Sequence, residues 1–274
     1  MTRVAACGLT TLDLVQYVEH LPAPNEKVQA RDARVEFGGP AANAAFTAKA
    51  LGLEVRLLTC IGGSALGQIL HEELAAAGIE VVDLAAHGSW RPPVSSVAVT
   101  AHQRAVISVN AGAAPTRSLP DGSLDDCTAL LVDGHHLRLC LAAATQARIA
   151  GIPVLLDGGS WKPGLESLTP LVDAAVLSAD FQPPEPLDWH GRPVAITDGA
   201  GPIRYWDGPD HGSIAVEPVA DADTLGAGDV LHGAWLAHVG RFGLADWPQS
   251  LRFASRIATL SCRHPGAHEW AEHV

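Results

Sequence analysis

Lysine is nearly absent from this 274-residue chain: only Lys27, Lys49 and Lys162 occur, and none follows a glycine. A phosphate loop of the G-x-x-x-x-G-K-[ST] type is thereby excluded. No G-x-G-x-x-G follows the first apolar run either, so any nucleotide has to be held in another way. Basic residues are scarce overall, with 18 Lys and Arg against 30 Asp and Glu and a net charge of −12. A surface of that sign repels nucleic acid and anionic membranes, so neither is expected as a partner. Cys7, Cys60, Cys127, Cys140 and Cys262 are odd in number and lack C-x-x-C spacing, which fits free thiols in a reducing compartment. No apolar run approaches the ~20 residues of a membrane span. The opening Met-Thr-Arg-Val runs directly into an apolar segment without a signal peptide's pattern, and a cytoplasmic location is expected.

Hydrophobic residues make up 47% of the chain and no low-complexity tract interrupts it. Apolar runs at Val4–Leu9, Glu54–Ile61, Leu130–Asp133, Val154–Asp157, Ala174–Phe181 and 194–197 read as buried strands. Helical segments are expected at about 40–51, 65–78, 137–151, 229–240 and 244–262, with Gly52, Gly78 and Gly151 as stops. This β-α-β alternation with short loops predicts an α/β fold with a mostly parallel sheet covered on both faces. Two segments break the rhythm. Glu26–Phe37 alternates polar and apolar residues and reads as an exposed strand. Val97, Val99 and Ala101, then Ala105, Ile107 and Val109, read as a hairpin turning at His102-Gln103-Arg104, because the two rows share a face only across an odd loop.

Asp223-Thr224-Leu225-Gly226-Ala227-Gly228-Asp229 precedes the small, apolar run Val230–Leu236. The glycines permit a tight turn, and the first N–H groups of the following helix form an anion cradle. Asp229 stands at its mouth. Read alone, it serves equally as a helix-capping residue or as a base beside a phosphoryl group. Asp13 follows the first strand, at the sheet edge where open α/β folds bind ligands. Asn43 is a polar oddity in the alanine-rich helix that follows Gly38-Gly39-Pro40.

The stretch Asp223–Asp229 resembles the D-T-x-G-A-G-D signature of the ribokinase-like (PfkB) carbohydrate kinases at every fixed position. Asp13 and the G-G-x-x-x-N spacing of Gly38, Gly39 and Asn43 are similar to that family's N-terminal motifs. The resemblance covers nearly the whole chain. It implies one three-layer αβα domain over residues 1–274, with a small β-sheet lid inserted at about 26–38 and 93–111. It implies ATP-dependent phosphorylation of a small sugar with Mg2+. Asp229 would be the catalytic base and Gly226, Ala227 and Gly228 the anion hole. Asp13, Gly39 and Asn43, with Arg104 from the lid, would meet the acceptor. Ser178, Thr197, Gly199, Gly226 and Gly228 would line the nucleotide site, and the last helix would wall the adenine pocket. The segments Asp133–His136 and Asp157–Lys162 resemble uncharacterised bacterial sugar kinases nearer ketohexokinase than ribokinase, which favours a ketose. Lys162 could meet a phosphate.

The chain departs from the family at three points. Pro40 replaces a residue that is often polar. Gly62-Gly63-Ser64 lacks the acids often found after that strand. Ser178 and Phe181 stand where many members have the Asn and Glu of N-x-x-E, leaving Asp180 as the nearby carboxylate for the metal. A kinase for a nucleoside or a non-sugar alcohol, or a catalytically silent sugar- or nucleotide-binding member, are the alternatives. The tail residues Cys262, His264, His268 and His273 give H-E-x-x-x-H rather than H-E-x-x-H. Residues i and i+5 lie about 140° apart on a helix, so an ordinary polar C-terminus is expected. The lid's Val and Ile rows are too extensive for a small sheet to bury, so a homodimer through the lid is expected.

Overall fold

The computed structural model describes residues 2–86, 90–101, 103–109, 112, 114 and 117–274. In chain order the first half comprises β1 (Arg3–Cys7), β2 (Thr11–Tyr17), β3 (Asp32–Gly38), α1 (Pro40–Ala50), β4 (Glu54–Thr59), α2 (Ala65–Ala76), β5 (Glu80–Asp83), β6 (Val94–Val99) and β7 (Arg104–Ser108). The second half comprises β8 (Cys127–Val132), α3 (Leu137–Ala150), β9 (Val154–Gly158), β10 (Ala174–Ser178), β11 (Val194–Thr197), β12 (Ile203–Asp207), β13 (Asp210–Ile214), α4 (Ala227–Phe242) and α5 (Trp247–Ser261).

Nine strands form one sheet in the order β13-β12-β11-β10-β9-β8-β1-β4-β5. The run from β11 to β5 is parallel, and the β12–β13 hairpin adds two antiparallel strands at one edge. Helices cover both faces. One face carries the Ala, Leu and Trp side chains of α1, α2, α4 and α5, and the other carries α3. The buried strands are continuous apolar runs rather than alternating ones, as a sheet covered on both sides requires.

The pairing of α1 with α4 positions the site. Helix α1 is built from alanines, and Gly233 of α4 faces it so closely that a Cβ there would stand 2.5 Å from the Ala44 carbonyl oxygen. The two backbones therefore approach to a distance that only small residues permit. Trp235 and Trp247 then lock α4 to α5, with ring centroids 5.4 Å apart.

The lid is a separate four-stranded sheet, β3-β2-β6-β7, and it corrects three sequence expectations. Asp13 lies within strand β2, paired along its length with β3 from Thr11↔Gly38 to Tyr17↔Asp32. The exposed strand expected from Glu26 begins only at Asp32, because that pairing runs out at Tyr17. Pro22, Pro24 and a turn at Asn25 (φ 62°) occupy the chain before it. The β6–β7 turn is also different. Val99 pairs with Arg104, so the loop comprises the four residues 100–103 and Ala101 belongs to it. His102 of the expected turn lies outside the described residues, as do Asn110 and Ala111 at the lid's expected end. The Thr100 N–H and hydroxyl both engage Gln103 and close the turn early. Val97 consequently faces Val106, while Ile107 faces Ser96. One valine row, Val15, Val97 and Val99, is buried on Leu225 of the signature stretch. Val35, Ile107 and Val109 remain exposed, Ile107 by 78%.

The C-terminal segment is not an ordinary polar tail. Trp270 is fully buried, its indole N–H donates to the Ala267 carbonyl at 2.8 Å, and its ring meets Phe46 edge-on. Burying an indole anchors the residues before it against the sheet's active edge.

Candidate active site

Gly226 adopts a left-handed conformation (φ 72°) and starts α4. Its N–H and that of Gly228 meet no acceptor among the described residues, whereas the Ala227 N–H bonds the Thr224 carbonyl at 3.3 Å. A Cβ added at Gly228 would meet nothing within 4 Å, so open space lies above it. Unbonded N–H groups at a helix N-terminus form a ready anion site.

Asp229 stands one residue further on, half-buried. Its Oδ2 accepts a 2.7 Å hydrogen bond from Asn43 Nδ2, so the close α1–α4 packing delivers the amide to the carboxylate. Burial, reinforced by the Asp157 and Asp133 charges, pushes the Asp229 pKa up to about 7. The Asn43 hydrogen bond and His232 oppose that rise. A carboxyl near neutrality is matched to taking a proton at physiological pH.

Beneath Asp229 lies a buried layer in which sequence reasoning assigned His232 no role and left the contacts of Asp133 and Asp157 unread. His232, one turn along α4, places Nδ1 2.7 Å from the Gly228 carbonyl and 3.4 Å from Asp157 Oδ2, and Nε2 3.0 Å from the Val176 carbonyl. Asp157 is the penultimate residue of β9, with Oδ2 buried and lacking a hydrogen bond. Asp133, after β8, has a staple role. Its carboxylate accepts from the N–H groups of Leu9, Ala41 and His135 and ties the β1 loop to the start of α1. Lys162 lies close by and donates to the Asp133 and Ser160 carbonyls.

The lid closes the other side. Asp13 accepts from the Thr11 hydroxyl at 2.7 Å, and burial raises its pKa. The glycine pair makes room for it. A Cβ at Gly38 would fall 2.0 Å from Asp13 Oδ2, and one at Gly39 would fall 2.6 Å from the Leu9 carbonyl oxygen. Glu36 is the cross-strand partner of Asp13, and burial next to Asp13 raises its pKa to about 7. Arg104 reaches the signature stretch, where Nη1 donates to the Thr224 carbonyl at 3.1 Å. Asp13, Gly39, Asn43, Arg104 and Gly226–Asp229 thus converge on one region from four elements. Ser178, Thr197 and Gly199 stand at the ends of β10 and β11, and a cleft of ≈ 710 Å³ lies between β13 and α5. Asp180 is exposed, and its N–H bonds the Ser178 hydroxyl. Phe181 is buried edge-on against Trp161 (5.7 Å), so an aromatic pair fills the place where the resemblance leads one to expect a glutamate.

A profile of the pfkB family carbohydrate kinases matches residues 1–180. The chain belongs to this family. The match contains Asp13, Gly39, Asn43, Arg104 and Asp180 and ends before the Asp223–Asp229 stretch of this PfkB chain. Ribokinase of Bacillus subtilis (strain 168) is 25% identical over 291 residues, covering 97% of this chain and 95% of the relative. The solved structure of Xylella fastidiosa fructokinase with bound ATP superposes with a TM-score of 0.79 at 20% identity, covering 98% of this chain and 94% of the other. Arabidopsis thaliana ribokinase complexed with ribose and ATP gives 0.78 at 20% identity, covering 98% and 95%. The kinase therefore has the ribokinase-like fold with a second small sheet as its lid. His268, weighed in the sequence only as part of the tail's H-E-x-x-x-H, touches Asn43, a contact that no local sequence signal announces.

Proposed function

We propose that this PfkB-family kinase transfers the γ-phosphoryl group of ATP to a primary hydroxyl of a small neutral sugar, a ketose being the first choice. The observation that carries the proposal is the pairing of unbonded Gly226 and Gly228 N–H groups with a carboxyl tuned to about 7, held by Asn43. Ionised Asp229 accepts the hydroxyl proton as the oxygen attacks phosphorus in line, and the N–H groups meet the charge on the phosphoryl oxygens. Asp13 accepts from adjacent sugar hydroxyls. Gly39 admits the sugar to the backbone, and Asn43 offers its second N–H. Arg104, now engaged by Thr224, latches the lid edge over the acceptor. The ≈ 710 Å³ cleft, lined by Ile214, Ala215, Ser255, Arg256 and Thr259, suits the adenine, with Ser178, Thr197 and Gly199 near the phosphates.

Magnesium bound with the nucleotide would supply charge neutralisation on the phosphates. No cluster of three His, Cys, Asp or Glu ligands occurs among the described residues. That donor set fits an ion carried chiefly by the nucleotide, with exposed Asp180 able to bind one of its waters. An Asp180→Ala variant with unaltered magnesium dependence of turnover would remove Asp180 from that role. The alternative of a silent binding protein is disfavoured by an intact Asp229 beside open N–H groups. A crystal soaked with a non-hydrolysable ATP analogue, magnesium and a ketose tests the proposal. The γ-phosphate is expected at Gly228 N–H, with a primary hydroxyl at hydrogen-bond distance from Asp229. A γ-phosphate directed away from Asp229 contradicts it.

A further inference from the structure

We infer that His268 is a positioning residue of the kinase site: it fixes the orientation of the Asn43 amide and, through it, the Asp229 carboxylate. The inference rests on the kinase reading above and deepens it.

Hydrogen-bond roles carry it. Asn43 presents two chemically opposite ends to two neighbours. One end meets Asp229 Oδ2 at 2.7 Å, and the other meets His268 Nε2 at 3.0 Å. An ionised carboxylate only accepts, so the amide must turn its NH₂ towards Asp229. Its oxygen then faces His268, and Nε2 must carry the hydrogen. In reverse, a His268 that donates from Nε2 selects this amide orientation. The flipped amide would set oxygen against carboxylate and NH₂ against N–H. Among the described residues no other donor reaches Asn43 Oδ1.

The ring has little freedom to do otherwise. It packs against both Phe37 and Phe46, with centroids 4.3 and 4.5 Å away. Its backbone is held on both sides. Gly266 N–H donates to Asp223 Oδ2 at 2.9 Å, and Trp270 is buried just beyond. Ala267 packs on Gly226 so closely that a Cβ there would come within 2.9 Å of it. The charged group facing Nδ1 is Glu36 of β3, whose Oε2 is 3.8 Å away, beyond hydrogen-bond length. Burial holds the His268 pKa down to about 4. At neutral pH the ring is uncharged, and its one N–H belongs on Nε2. The C-terminal segment thus reaches the base through a single amide, and Asn43 keeps one N–H for the acceptor.

Two substitutions separate positioning from packing. His268→Phe keeps an aromatic ring against Phe37 and Phe46 but deletes the donor. Its kcat should fall about five- to tenfold, the worth of one net hydrogen bond, with KM for ATP nearly unchanged. His268→Gln loses the stacking but restores an N–H donor, and its kcat should return close to wild type. A Phe variant as active as wild type, or a Gln variant no better than Phe, overturns the inference. A second readout is independent of activity. Nitrogen-15 NMR of the wild-type imidazole at about pH 8.5, where Asp229 is ionised, should show the neutral Nε2–H tautomer. An Nδ1–H tautomer or an imidazolium refutes the inference even if the protein phosphorylates sugars well. Failure of the wild type to phosphorylate any sugar counts against the kinase reading alone.

Discussion

Replacing Asp229 with asparagine removes the proposed base and little else. The two side chains are the same size, and the amide oxygen of the variant can still accept from Asn43 Nδ2, so the 2.7 Å contact survives. The loss should fall on the barrier: at least ~10²-fold in kcat, or about 3 kcal/mol, with the KM for ATP largely unchanged. The wild-type enzyme should also show the titration of this group. With a pKa of about 7, the ionised fraction drops about tenfold between pH 8 and pH 6, and kcat/KM should follow it. Stability should move the opposite way. Because the folded pKa is raised above the unfolded value, the carboxyl favours the folded state below pH ~4 and loses that contribution as pH rises through about 7. Asp229→Asn should therefore have a higher Tm than wild type at pH 8 and a nearly equal one at pH 4. A coupled ADP-release assay from pH 5.5 to 9, with thermal melts at both pH values, measures all three effects. Near-wild-type turnover by the asparagine variant, or a flat wild-type profile between pH 6 and 8, refutes the role given to Asp229.

Asp13→Ala should raise KM for the sugar by about tenfold or more and barely alter that for ATP, since the partner hydroxyls lose their acceptor. A sugar phosphate as the best substrate would contradict the neutral acceptor on which this rests. Gly233→Ala drives a methyl to 2.5 Å from the Ala44 carbonyl oxygen, which should cost about 1–3 kcal/mol. It should also lower kcat by parting Asn43 from Asp229, and an unchanged Tm would mean that the helices are not held this closely. The exposed Val35, Ile107 and Val109 of the lid should be covered by a second copy of the chain. Sedimentation at micromolar concentration should give a dimer, and a monomer there would contradict the proposed lid interface.

The main sheet was legible because buried parallel strands are continuous apolar runs, and Gly52, Gly78 and Gly151 mark the ends of three segments. The lid was only half legible. Thr11–Tyr17 alternates as an exposed strand does but follows β1 after only three residues, so the two run together in the sequence, and the four-residue β6–β7 turn depends on Thr100 bonding Gln103 rather than on a glycine. Both edges of the main sheet, β5 and the antiparallel β12–β13 hairpin, passed unread. In the site, local chemistry was readable and long-range chemistry was not. Gly226–Asp229 declares its turn and helix start within four residues, whereas Asn43 and Asp229 are 186 residues apart and meet through packing of Gly233 on Ala44. The His232–Asp157 pair, the Asp133 staple and His268 depend likewise on which strands and helices become neighbours. The departure at Phe181 was visible in the sequence, but its cause, an aromatic pair with Trp161, required the fold.

Phosphorus-31 NMR of the protein with ATP, magnesium and single members of a panel of ketoses, aldoses and nucleosides tests the central claim most directly. ADP and one new phosphomonoester should appear with a ketose, the new resonance split by two methylene protons, as transfer to a primary hydroxyl requires. Release of inorganic phosphate alone, no new phosphomonoester across the panel, or a phosphomonoester on a secondary hydroxyl would contradict it.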